Sequence, residues 1–273
     1  LTVILVSGYM VLLSAAADGT TLVGTYIIGA GDTSTDLTVT EFSIGAVTDA
    51  AGNAMSSTTL PGSNIADTKA IVIDTTAPTV TAFTSTTADG SYNLDDTINI
   101  TATTSEAIVS GNTLTVTLDT GDTVLLTAAA DGTTLVGTYT IAAGDTSTDL
   151  TVTGFSIGTV TDAAGNAMSS TTVPAENNIA DTKAIVIDTT APSVTSFTLS
   201  DSSLKSGDTS TVTLVFSEAV DQFSSDDDIT LVNGTMTSMT SDDNITWTGT
   251  FTPTTNITDT SNELTLATTW TDT

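Results

Sequence analysis

The side chains with chemistry to offer are carboxylates, and they recur in frame. Asp74 and Asp188 stand in two copies of "IADTKAIVIDTTAP" (Ile65–Pro78 and Ile179–Pro192), Glu106 in "TSEAI", Glu218 in "FSEAV", Asp162 at the head of "TDAAGN" with Asn166 at its end, and Asp272 in the closing "WTDT". Carboxylates can work as an acid–base pair on glycosides, or as hard oxygen ligands for a cation such as calcium. With no His and no Cys, triads and dyads built on those residues are excluded. A glycosidase pair needs a cleft with aromatic platforms, and the only Trp residues, Trp247 and Trp270, alternate with Thr in strand-like segments and read as core. We therefore expect no enzyme.

Charge points toward a cation. Asp and Glu total 32 against Lys69, Lys183 and Lys205 and no Arg, a formal net charge of −29. Nucleic acids and anionic membrane surfaces are excluded as partners, because both are bound through Lys and Arg. No apolar run approaches a membrane span, and "VILVSGYMVLL" is broken by Ser7 and Gly8. So one-sided a charge makes a compact state repel itself unless bound cations or salt neutralise it.

The elements that must position these acids come in long repeats. "AAADGTTLVGTY" (Ala15–Tyr26) returns at Ala128–Tyr139, and "TDAAGNAMSSTT" (Thr48–Thr59) at Thr161–Thr172, both displaced by 113 positions. The offset becomes 114 beyond "LPGSN" (Leu60–Asn64) and "VPAENN" (Val173–Asn178), a slip that a surface loop tolerates. A period this long suits whole small domains, not solenoid coils. "SGDTSTVTLVFSEAV" (Ser206–Val220) matches "LDDTINITATTSEAI" (Leu94–Ile108), which brings a diverged third copy into the same frame. We expect domains at 1–74, 75–188 and 189–273, the first lacking its opening strands and the third its last, with short Pro-stiffened linkers at Pro78 and Pro192.

Thr, Val and Ile dominate, and apolar residues alternate with Thr in "TINITATT", "TLTVTL" and "DLTVTGFSI". β-branched residues with a period of two describe half-exposed antiparallel strands. Turn signals such as "TGD", "SGN" and "AGD" separate them at β-sandwich spacing, and helical periodicity never exceeds about two turns. The expected fold is all-β.

"IDTTAP", "FSEAV" and "TDAAGN" together resemble the bacterial immunoglobulin-like repeats of giant surface adhesins and biofilm proteins. The resemblance implies tandem immunoglobulin-like antiparallel β-sandwiches in a linear array, often with calcium at the junctions. It further implies an extracellular, cell-surface location and a stalk whose binding to a host or biofilm ligand lies in other regions.

In such a sandwich the incoming linker, the loop after the second strand and the loop before the last strand meet at one pole. Those elements carry Asp74, Glu106 and Asp162, with the Asn166 amide, at the second repeat. At the third they carry Asp188, Glu218 and Asp272. We read these as calcium sites at the inter-domain junctions, because carboxylates brought together without basic partners raise one another's pKa until a cation sits between them. The alternative is that they are solvated turn residues. Asp32, Asp36, Asp145 and Asp149 in the two "GDTSTD" copies read as turn formers, and "SSDDDIT" (Ser224–Thr230) as a solvated acidic loop. The Thr arrays fit soluble strands, not an ice-binding surface. Asn99, Asn233, Asn244 and Asn256 begin N-x-T sequons expected to be unmodified. The functional expectation is a calcium-stiffened stalk whose partners are neighbouring repeats of the same or identical chains. A self-assembling filament or surface layer is the alternative, and a glycan- or protein-binding third repeat a weaker one.

Overall fold

The computed structural model describes residues 1–130 and 132–272, the last by its backbone only. It is nearly all-β and divides into two compact units, Leu1–Thr189 and Thr190–Thr273. Among the described residues no helix is long and apolar enough to cross a membrane.

In the first unit, alternation becomes packing. Along Thr97–Thr104 the residues Ile98, Ile100, Ala102 and Thr104 turn inward, and Thr113–Leu118 and Thr123–Ala128 follow the same period. The strands pair antiparallel in the spatial order Val152–Thr159, Thr113–Leu118, Thr123–Ala128, Thr134–Thr140, Thr97–Thr104, Val80–Thr84. A second, small sheet orders Thr146–Ser147, Ile185–Asp188 and Gly90–Tyr92, and its Ile185–Ile187 to Gly90–Tyr92 pairing is parallel. Phe83 and Phe155 meet edge-on at 5.5 Å, and Phe83, Ile98, Leu114, Leu135 and Ile185 have no solvent exposure. The segment "IADT" forms a helical turn, Ile179–Thr182, because Asn178 accepts from the first-turn backbone while Asp181 accepts from the Asn178 N–H. Asn178 also bonds both backbone groups of Val152, at 2.8 and 3.1 Å, tying that turn to the sheet. Gly137 is required by a close crossing: a Cβ there would lie 2.5 Å from the Leu125 carbonyl oxygen. Gly24 meets Leu12 in the same way, at 2.6 Å.

A separate apolar cluster, with Leu5, Val11, Leu37 and Ile73 at its centre, occupies the beginning of this unit. Its residues copy those around Val124–Ile187, but it is leaner. Thr2–Leu5 pairs with Met10–Leu12 and with Val39–Ser43, and Ser14–Ala15 pairs with Leu22–Val23. Ile28 is 54% exposed where its counterpart Ile141 is 1% exposed, and Met55 is 39% exposed where Met168 is 5% exposed. Sequence around these positions is nearly the same; what differs, among the described residues, is the set of strands beside them.

The second unit has a four-stranded antiparallel sheet, Val194–Leu199, Ser210–Phe216, Thr246–Pro253 and Gly234–Met236 in spatial order. Two strand pairs, Val220–Asp221 with Thr271–Asp272 and Ile229–Leu231 with Leu264–Leu266, accompany it. Its core gathers Val212, Leu214, Phe216, Phe223, Met239 and Phe251. The two Trp residues pack on this core from its margin, half-buried: Trp270 edge-on to Phe216 at 4.8 Å and Trp247 edge-on to Phe223 at 4.9 Å. The acidic loop departs from the sequence expectation. Ser225–Asp228 is a helical turn, and Asp228 is buried, accepting from the Ser224 N–H and the Thr269 hydroxyl. That acid is a structural acceptor, not a solvated charge.

Candidate metal centre

Asp74, Glu106 and Asp162 converge. Each offers one carboxylate oxygen, and these atoms lie within 4.8 Å of one another. The backbone around each is fixed by local chemistry. Ile73 is bridged to Ser34, and the next residues are anchored by Thr75, whose hydroxyl donates to the Asp32 carbonyl at 3.1 Å and accepts from the Gly31 N–H at 3.0 Å. Asp74 itself accepts from the Thr76 N–H at 2.9 Å. Glu106 sits in the loop after Thr97–Thr104, where the Thr104 hydroxyl donates to its carbonyl at 2.7 Å. The neighbouring Ser105 exchanges two bonds with Thr79, from the Ser105 N–H to the Thr79 carbonyl and from the Thr79 N–H to the Ser105 hydroxyl. Asp162 is bridged to Ile108.

The "DAAGN" loop is a self-contained clamp. Gly165 takes φ 94°, a left-handed conformation that suits glycine. This turns the chain so that Asn166 donates its N–H to one Asp162 oxygen at 2.8 Å and its Nδ2–H to the other at 2.7 Å. The same Nδ2 donates to the Asp74 carbonyl at 3.0 Å. Asn166 thus ties the end of the first repeat to a loop of the second, and it meets the cluster with its nitrogen, where the sequence suggested its oxygen. "DAAGN" at Asp49–Asn53 folds identically, with Gly52 at φ 90° and both Asp49 oxygens bonded by Asn53 at 2.8 Å, but there Asp49 is exposed.

The electrostatics are unbalanced. Burial, then the charges of Asp74 and Asp162, push the Glu106 carboxyl above its ordinary value. Asp162 is only 4% exposed, and burial alone would raise it, but the Asn166 side chain and the Asn166, Gly165 and Ala164 N–H groups outweigh this and hold it below the usual range. The ion pairs among the described residues, Lys183–Asp89 and Lys205–Asp208, each 4.0 Å, leave these acids out. Two oxygens on opposite sides of a calcium ion, each at roughly 2.4 Å, stand about 4.8 Å apart, so the donor set and its spacing fit that ion.

The matching acids of the third repeat are Asp188, Glu218 and Asp272. Asp188 ends the strand Ile185–Asp188 in the first compact unit, and Glu218 belongs to the second. Val220 pairs with Asp272 in the register in which Ile108 meets Asp162, so the backbone frame recurs, but the Asp272 side chain lies outside the described residues.

A latch escaped the sequence reading. Asp145 accepts the Tyr139 hydroxyl at 2.5 Å and the Ala142 N–H at 2.7 Å, while Thr189 donates to the Asp145 carbonyl at 3.0 Å and accepts from Gly144 at 3.0 Å. Asp32, Tyr26, Gly29 and Thr75 repeat it. The turn-forming Asp of "GDTSTD" therefore also fastens the Thr that follows "IVID". Its signal was the Tyr six residues before each such Asp.

Residues 188–273 match the family model described as a bacterial Ig-like domain. The match bears out the resemblance carried by "FSEAV" and its companions, and bacterial Ig-like domains form a structural family found in repeat regions of surface proteins. No curated protein and no solved structure matches the chain.

Proposed function

We propose that the chain is a calcium-stiffened stalk segment of a secreted bacterial surface protein, made of three immunoglobulin-like repeats at 1–74, 75–188 and 189–273. One observation carries the reading: Asp74, which follows Ile73 of the Ser34–Ile73 bridge, lies with Glu106 and Asp162 of the second repeat, and the ion pairs among the described residues leave this cluster out. Asn166 bonds the Asp74 carbonyl and the Asp162 carboxylate, Thr104 bonds the Glu106 carbonyl, and a cation between the three acids would supply the missing positive charge. The chain's own residues do the rest. Asn166 fixes the Asp162 carboxylate, and the latch at Thr75 anchors the residue after Asp74 to the upstream repeat. A junction so tied resists bending, and repetition then lengthens a stalk without new chemistry. In this reading the partners are neighbouring repeats of the same or identical chains.

Calorimetric titration of the metal-free chain with calcium tests this. Saturable binding that Asp162→Asn and Glu106→Gln each weaken at least tenfold supports the site. Heat indistinguishable from dilution, or binding that neither substitution changes, refutes it.

A further inference from the structure

The first repeat departs from the second where the second meets solvent. Residues 1–59 and 114–172 run in register, and the exchanges that alter polarity go almost all one way: Ile4 stands for Thr117, Val6 for Asp119, Tyr9 for Asp122, Met10 for Thr123 and Ile27 for Thr140. Ile4 and Met10 lie directly opposite one another where Thr2–Leu5 pairs with Met10–Leu12. Their neighbours Leu5 and Val11 turn into the core, so Ile4, Met10 and Leu12 share the solvent side of the sheet. Met10 is 71% exposed, Leu12 69%, Val23 59% and Ile27 81%. In the second repeat Thr123 and Thr117 are opposite in the same register. There Thr123, Leu125 and Thr140 are exposed even though Thr97–Thr104 pairs beside Thr134–Thr140. The face is therefore open to water in a repeat with strands on both sides, and the exchange of Thr for Ile and Met is what makes it apolar. A contiguous apolar face of this kind marks an interaction surface.

We propose that this sheet face is a homotypic interface, and that its occupant is the same face of a second copy of the chain, packed sheet on sheet about a two-fold axis. Charge selects that occupant. A chain of net charge −29 is repelled by its own copies wherever carboxylates meet, and at the tip of this hairpin Asp119 and Asp122 of the second repeat give way to Val6 and Tyr9. A basic partner would be met better by keeping those acids. The one acid gained, Glu41 in place of Gly154, lies opposite Ile4 on the strand Val39–Ser43, where it joins the solvated rim. Area agrees: the open apolar side chains present roughly 500 Å² per chain, so two copies would cover about 1,000 Å², the lower bound of a specific interface. Such a contact is reversible and weak. It goes beyond the stalk reading and uses none of Asp74, Glu106 and Asp162, so it does not depend on calcium.

Sedimentation velocity of the whole chain in chelator, from low micromolar to near-millimolar concentration, tests this. We expect a reversible monomer–dimer equilibrium that tightens as added salt screens the acids. The combined variant Ile4→Thr, Met10→Thr, Ile27→Thr installs the residues with which the second repeat already folds, and should raise the dissociation constant of the dimer at least about tenfold. The chain has no Cys, so a single introduced thiol reads proximity. Under mild oxidation Met10→Cys should give disulfide-linked dimers much faster than Thr123→Cys, its counterpart on the second repeat. The proposal is overturned if the wild type stays monomeric throughout, if the triple variant dimerises as the wild type does, if the dimer forms only with calcium or is weakened by salt, or if both thiols cross-link at the same rate. Flotation of a monomeric chain with phosphatidylcholine vesicles would assign the face to a lipid surface and overturn it as well.

Discussion

Replacing Glu106 by Gln separates a cation site from a set of turn acids by sign alone. The Glu106 oxygen faces those of Asp74 and Asp162 within 4.8 Å. At that distance each like-charge pair costs about 1 kcal/mol at the dielectric of water and about 3.5 kcal/mol at a surface-like one. Glu106 is half-buried and salt screens what solvent reaches, so we take the lower end, about 2 kcal/mol for the two pairs together. For a body of this size 1 kcal/mol moves the midpoint of thermal unfolding by roughly 2–4 °C. In calcium-free buffer at pH 7, Glu106→Gln should therefore melt about 4–8 °C above the wild type. Calcium at 100 times its dissociation constant should then add about 2.7 kcal/mol to the wild type. The variant, having lost a charged ligand, should gain much less, and the order of the two melting curves should invert. Differential scanning calorimetry with chelator and with millimolar calcium reads both signs. A variant less stable than wild type without calcium, or equal calcium shifts in both proteins, would falsify the reasoning.

Other consequences follow from particular contacts. Tyr139→Phe removes the hydroxyl that Asp145 accepts, and should cost about 1.5–3 kcal/mol in urea unfolding at pH 7. Burial would raise Asp145, but the Tyr139 hydroxyl and the Ala142 N–H outweigh it and hold the carboxyl low. A lowered folded value stabilises above the ordinary Asp range, near 3.9, and that contribution is lost as pH falls through the folded value. The acid limb of a stability–pH profile should therefore be shallower in Tyr139→Phe; an unchanged limb counts against the latch. Gly137→Ala, which places a Cβ 2.5 Å from the Leu125 carbonyl, should destabilise by about 1–3 kcal/mol, whereas Gly154→Ala, which meets nothing within 4 Å, should stay much closer to wild type. Magnesium, which demands tight octahedral geometry, should compete poorly with calcium for the Asp74 cluster in the calorimeter.

The fold was legible where period and packing agree. "TINITATT" announces a strand with Ile inward because side chains alternate with a period of two, and Ile98 and Ile100 are indeed fully buried. The frame that brings Glu106 and Asp162 near Asp74 was legible through the loops that meet at one pole of such a sandwich. What the sequence concealed were hydrogen-bond partners that no periodicity encodes. No periodicity announces the helical turn at "IADT", which Asn178 and Asp181 cap. "SSDDDIT" looks like solvated charge because Asp228 finds Thr269 across 41 positions of chain. Asn166 could present nitrogen or oxygen to the acids, and only the left-handed Gly165 decides which way the loop closes.

The central claim, that a cation at Asp74, Glu106 and Asp162 stiffens the junction between repeats, is tested most directly by small-angle scattering of the chain with calcium and with chelator. Calcium should lengthen and narrow the distribution of interatomic distances in the wild type, and do neither in the Asp74→Asn, Glu106→Gln double variant. Wild-type distributions that superimpose with and without calcium would contradict it.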